Sequence, residues 1–133
     1  MLEKIETPIT NMLGIRWPIV CAPMFLVSNP DMLVAAADAG IIGAMPSMNS
    51  RTLEDFRDRL AEVRRRTDGP FAVNLILMRN PRLEEDLKAC IEFKVPLIVT
   101  SLGDPTLVIE ACRQNRMRVF CDVVGLRDAG KAA

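Results

Sequence analysis

Five short, nearly continuous apolar runs recur along the chain, at residues 18–22, 41–45, 71–77, 97–100 and 118–124, and a longer stretch separates each from the next. A short run without polar alternation reads as a strand covered on both faces, and helical crossovers between such strands make neighbours pair in parallel. The chain is therefore α/β. Its pace, roughly 25 residues per β-α unit, is that of a (β/α)8 barrel of roughly 250 residues. Five units then make residues 1–133 a single partial domain, the N-terminal portion of a TIM barrel. A flavodoxin-like five-stranded parallel sheet is the alternative. The leader at residues 7–17 favours the barrel, because a doubly wound domain opens directly on its first strand, whereas a leader can plug a barrel's bottom. So does the final helix, which only begins at 128–133, and that alanine-rich stretch without a capping signal gives the expectation that more chain follows.

Helix signals punctuate the runs. Ser28 or Asn29 suits a cap, Pro30 the first helical position, and Gly40 the end. Thr52 caps a second helix, with Asp55 as an acidic near-match to a capping box, and Leu53, Phe56, Leu60 and Val63 recur along it at helical spacing. Arg64, Arg65 and Arg66 close it, where cations complement the negative end of the helix dipole. Further helices are expected near 83–93 and 105–115.

Composition removes several function classes. The 17 Lys and Arg residues balance 17 Asp and Glu, so no basic stripe points to nucleic acid. The sequence has no His, which takes Ser-His-Asp and Cys-His catalysis and His-ligated metals away from these residues. The most apolar stretch, 33–48, is too short for a membrane span and is interrupted by Asp38. Cys21, Cys90, Cys112 and Cys121 form no CxxC pair, and the charged start MLEKIE lacks the apolar centre of a signal peptide. The expectation is a cytoplasmic protein with free thiols, no metal, no nucleic-acid or membrane partner, and a small-molecule substrate.

A parallel barrel carries its active site at the C-terminal ends of its strands. Here those ends are Ala22-Pro23-Met24, then 46–49 (PSMN), Asn74, Thr100-Ser101 and Asp122. One carboxylate and no cation suit metal-assisted hydrolysis poorly. Amides, hydroxyls and thioethers around an apolar floor suit a flat aromatic cofactor, hydrogen-bonded at its edge. Each residue also has a plainer role. Asn74 could satisfy strand-end backbone groups, Asp122 could cap a turn or pair with Arg127, and Gly40 could simply end its helix. Pro23 could shape the strand exit, Cys21 could be packing, and Met24, Met45, Met48 and Met78 could be gap-fillers.

Residues 7–24 (TPITNMLGIRWPIVCAPM), 37–43 (ADAGIIG) and 68–74 (DGPFAVN) occur in an order and spacing that resemble the N-terminal part of the nitronate monooxygenase family. That family, formerly called 2-nitropropane dioxygenases, is related to the FMN-dependent enoyl-ACP reductases. Residues 99–105 (VTSLGDP) and 121–124 (CDVV) continue the match over essentially the whole chain. The resemblance implies an FMN-binding TIM barrel in which Ala22, Pro23 and Met24 line the flavin, Asn74 contacts it, and Thr100 and Asp122 approach it. Residues 46–49 are then placed to tune a substrate pocket. The family's phosphate loops and catalytic His are expected beyond residue 133, leaving no catalytic residue here.

The implied activity is oxidation of alkyl nitronates with O2 to a carbonyl compound and nitrite. The nearer alternative is NAD(P)H-dependent reduction of an enoyl thioester on the same flavin. The non-enzyme alternative is a half-barrel whose unpaired edges at 18–22 and 118–124 drive self-association into a homo-oligomer without activity.

Overall fold

The computed structural model describes residues 3–133. Its strands are β1 (Val20–Cys21), β2 (Ile42–Pro46), β3 (Phe71–Ile76), β4 (Leu97–Ser101) and β5 (Arg118–Cys121). Between and around them lie α1 (Pro8–Leu13), α2 (Pro30–Asp38), α3 (Leu53–Arg66), α4 (Leu83–Glu92), α5 (Thr106–Gln114) and α6 (Leu126–Ala132). All four neighbouring strand pairs are parallel, and the strands lie in sequence order, β1-β2-β3-β4-β5. A doubly wound sheet would reverse that order at a switch point. Consecutive order is the wall of a (β/α)8 barrel, here an N-terminal half-barrel.

Alternate residues of each strand face opposite layers. Phe71, Val73 and Leu75 of β3 join Phe56, Leu60 and Val63 of α3 in the outer, helix-covered core. Ala72 of β3 instead joins Ile42, Ala44, Leu97 and Val99 on the inner face, together with Leu13 and Ile15 from the leader. The leader does plug the barrel floor. It does so through a helix that its sequence did not announce, α1, which is only six residues long. Thr7 and Thr10 close a reciprocal capping box, with Thr10 N donating to Thr7 Oγ1 at 3.2 Å and Thr7 N donating to Thr10 Oγ1 at 2.9 Å. Gly14, at φ +67°, ends it and turns Ile15 into the interior.

The α2 signals act as read. Asn29 Oδ1 accepts from Met32 N at 3.0 Å, and Pro30 opens the helix. Gly40 adopts φ +80° one residue past the cap. Its N–H donates to Ala37 O and that of Ile41 to Ala36 O, each at 3.0 Å, the paired bonds of a Schellman ending. The Gly40 carbonyl then accepts from Arg16 N at 2.8 Å and Trp17 N at 3.0 Å, fastening the leader to the helix end. Thr52 Oγ1 caps α3 through Asp55 N at 3.1 Å, while the Asp55 carboxylate turns to Arg59 at 3.2 Å instead of completing the box. The arginines ending α3 reach beyond their own helix. Arg64 stacks 4.6 Å from the Phe71 ring and donates to the carbonyls of Phe93 and Lys94, and Arg66 pairs with Asp31 and Glu62.

Two strands are shorter than their apolar runs. β1 keeps two residues where five were expected, because Pro18 and Pro23 flank it without a backbone N–H and it lies at the sheet edge. β5 ends at Cys121 rather than Val124. Asp122 N still donates to Thr100 O at 2.9 Å, but Val123 and Val124 are exposed.

One buried charge sits beneath the second βα turn. Asp86, on the first turn of α4, is fully buried with Oδ2 3.6 Å from Arg82 Nη2. Arg82 Nη2 also donates to Ser50 O at 3.0 Å, tying α4 to the 3-10 turn Ser47–Asn49. Burial raises the Asp86 pKa, and the nearby Ser47 hydroxyl and the Arg82 guanidinium only partly oppose it.

Gly40→Val is expected to cost about 2 kcal/mol or more in urea unfolding, since a Cβ there meets Arg16 Cβ at 2.8 Å in a left-handed conformation; an unchanged midpoint would contradict this. For Asp86, a folded pKa above the ordinary 3.8 means that its stabilising contribution is complete below that value and is lost as pH rises through the raised one. Over that window, the stability of Asp86→Asn relative to the native protein should climb by about 1.4 kcal/mol per unit of elevation. Parallel stability–pH curves for the two proteins would refute it.

Candidate functional site at the strand ends

The C-terminal ends of β3, β4 and β5 meet in one hydrogen-bonded line. Asn74 is buried, on the inner face of β3 in register with Pro46 on one side and Val99 on the other. Its Nδ2 donates to Val99 O at 2.9 Å and to Ser101 Oγ at 2.8 Å. Ser101 Oγ in turn donates to Asp122 Oδ2 at 2.7 Å. Each bond therefore points the same way, from amide to hydroxyl to carboxylate. The donor side of Asn74 is committed, and a flipped amide would set its oxygen against the Val99 carbonyl. Its Oδ1 accepts nothing among the described residues, so it remains available to a ligand N–H or O–H.

Asn74 thus fills its plainer role, satisfying a strand-end carbonyl, and keeps an acceptor to spare. Asp122 receives the Ser101 hydroxyl rather than pairing with Arg127. Thr100 is not brought into this set. Strand alternation places it with Ile98 on the helix-covered face, where it is buried and its Oγ1 lies 3.5 Å from Phe120 O. Ser101, one residue on, shares the inner face with Leu97 and Val99. Sequence reasoning grouped Thr100 and Ser101 at one strand end, and strand alternation separates them: Ser101 makes the bond to Asn74, because a one-residue step exchanges the faces.

Ala22, Pro23 and Met24 follow β1 at the same end of the sheet. Ala22 and Met24 are exposed and Pro23 is half-buried. Met24 opens a compact turn, its N–H donating to Ser28 Oγ at 2.9 Å and its carbonyl accepting from Ser28 N at 3.0 Å. Asn49 bridges from the second βα turn, accepting from Leu26 N at 2.8 Å and donating to Met24 O at 3.2 Å and Ser28 O at 2.8 Å. In the fourth loop, Asp104 Oδ1 accepts from both the N–H and the hydroxyl of Thr106, at 2.9 and 2.6 Å, just before α5, and these bonds lower its pKa. Of the methionines, Met45 is core, Met48 is half-buried, and Met24 and Met78 are exposed at the strand ends.

Neither of the two buried cysteines is placed for nucleophilic work. Burial pushes the Cys90 thiol well above its ordinary pKa and that of Cys112 to about 11, so both are inert in the outer core. Cys21 and Cys121 are half-buried and free. Among the described residues, no group of three or more His, Cys, Asp or Glu could hold a metal ion, and no helix is long and apolar enough to cross a membrane.

The family model for nitronate monooxygenase matches residues 6–121. A nitronate monooxygenase of Pseudomonas aeruginosa is 35% identical over 100 residues, covering 72% of this chain and 27% of that protein. A (3aS,4S,5R,7aS)-5-hydroxy-7a-methyl-1-oxo-octahydro-1H-indene-4-carboxyl-CoA dehydrogenase of Mycobacterium tuberculosis is 33% identical over 72 residues, 54% of this chain and 20% of the enzyme. Among solved structures, FabK from Thermotoga maritima superposes with a TM-score of 0.86 at 31% identity, covering 98% of this chain and 42% of that one. The chain thus spans about a quarter of these curated relatives' length and under half of FabK. With its family model matched from residue 6 to residue 121, this chain belongs to the nitronate monooxygenase family.

Proposed function

We propose that this chain forms the N-terminal half of an FMN site in an oxidoreductase that oxidises alkyl nitronates with O2 to a carbonyl compound and nitrite. The observation that carries the reading is Asn74, an inner-face amide at the strand ends whose donors are spent and whose acceptor is free. The isoalloxazine ring presents an imide N–H at its polar edge, and that donor suits Asn74 Oδ1. Ala22, Pro23 and Met24 would lie against the ring, and the Ser101–Asp122 pair would hold Asn74 in its working orientation.

When bound, the flavin supplies reversible two-electron chemistry. The part of this half-barrel is to bind and orient. Asn74 fixes the ring edge, and the small inner-face side chains Ala44 and Ala72 keep bulk from the floor beneath it. The proton acceptor and the phosphate grip lie outside what these residues supply. A second reading keeps the flavin but draws electrons from NAD(P)H to reduce an enoyl thioester. It is supported by a relative named as a dehydrogenase of a carboxyl-CoA thioester.

Anaerobic mixing of the flavin-loaded protein with propyl-2-nitronate or with NADPH separates the two. Bleaching of the flavin band by the nitronate, with nitrite released once O2 is admitted, is the expected result. Bleaching by NADPH alone would transfer the assignment to the second reading, and a protein that binds no flavin would overturn both. Asn74→Leu should weaken FMN binding by roughly tenfold, the worth of one hydrogen bond, as read by quenching of flavin fluorescence.

A further inference from the structure

The first βα loop carries four consecutive apolar residues, Met24, Phe25, Leu26 and Val27, and the last three are 61%, 75% and 56% exposed. Burial therefore does not shape this loop. Leu26 also holds φ +60°, a left-handed conformation that a branched side chain disfavours unless its surroundings impose it. What imposes it is polar, and most of it comes from one side chain. Asn49 uses its amide in both senses, its Oδ1 accepting the Leu26 N–H and its Nδ2 donating to the carbonyls of Met24 and Ser28. The first of these bonds pins the strained residue itself, and the other two clamp both ends of the turn around it. Asn49 is itself seated from below. It ends the 3-10 turn Ser47–Asn49, whose Ser47 is fully buried, and Arg82 holds the carbonyl of the next residue, Ser50, at 3.0 Å.

We propose that Asn49 is a positioning residue: it sets the conformation of residues 24–28 and thereby presents the Ala22–Met24 segment to the flavin. The latch is a property of this chain alone, while its consequence for cofactor binding rests on the FMN reading above. No side chain other than an amide of this length offers one acceptor and two donors from a single planar group. Aspartate has the same shape but only acceptors, so it would keep the partner of Leu26 N–H and set negative charge against two carbonyls. Both Asn49→Ala and Asn49→Asp should therefore open the loop, the first by losing all three bonds and the second by losing two.

The test measures amide hydrogen exchange and FMN affinity on the same preparations. Without flavin, protection of the Leu26 amide is expected to fall roughly tenfold or more in Asn49→Ala and to a smaller extent in Asn49→Asp, with the amides of β3 and β4 unchanged. FMN binding should weaken roughly tenfold in both variants, with an altered visible circular dichroism of the bound flavin and a thermal midpoint lowered by only a few degrees. Unchanged Leu26 protection in both variants overturns the latch, whatever the flavin does. Lost protection with unaltered FMN affinity and spectrum overturns the positioning role. If the native protein binds no FMN, the FMN reading and the positioning role fall together, while the exchange data still decide the latch. Should Asn49→Ala fail to fold, Asn49→Asp alone decides by the same two readouts.

Discussion

Phe71 and Ala72 are neighbours in the chain and face opposite layers, and the structure depends on that opposition being repeated from strand to strand. Phe71 stands in the outer core with the α3 side chains Phe56, Leu60 and Val63, and Ala72 stands on the inner face with Ala44 and Leu97. A parallel sheet is stable only with both faces covered. Helices cover the outer one, and the inner one is covered at its floor by Leu13 and Ile15 of the leader. The outer set carries the rings of Phe56 and Phe71, while the inner set mixes Ala44 and Ala72 with Ile42, Leu97 and Val99 below the polar strand ends.

That opposition explains how far the sequence could be read. Apolar runs and their spacing gave the parallel order, and Asn29, Pro30, Gly40 and Thr52 gave helix limits, because caps and terminators act within four residues of themselves. The α1 helix escaped notice because six residues leave no room for amphipathic periodicity, although its Thr7–Thr10 box was present. The lengths of β1 and β5 were overestimated because apolar character does not distinguish a paired strand from an edge segment that leaves the ladder.

At the site, what was legible stopped at the register. Asn74 and Asp122 stand together at the strand ends, where the sequence puts them, but whether Thr100 or Ser101 joins them turns on which face β4 presents, and the packing of Leu97 and Val99 on the inner face decides it. Asn49 lay in a segment singled out for the substrate pocket, yet its partners are backbone atoms 21 to 25 residues away. Bonds of that kind leave no pattern in side-chain types, since any residue can supply the carbonyl.

The two halves of the strand-end region are held by different physics for one reason. Packing fixes the strands, and Asn74 inherits a defined place from that rigidity. The loop after β1 leaves Phe25, Leu26 and Val27 exposed, so it is not fixed by burying its own apolar residues. Directional bonds do the same work without consuming that surface, which is why a chain so dependent on packing turns to Asn49 and Ser28 there. The Asn74–Ser101–Asp122 line follows the same logic from the other side. Its bonds all run toward the carboxylate, so the acceptor it leaves over is set by direction as well as by place. A group that meets Asn74 must bring a proton to share, a condition that the imide edge of the proposed flavin would satisfy.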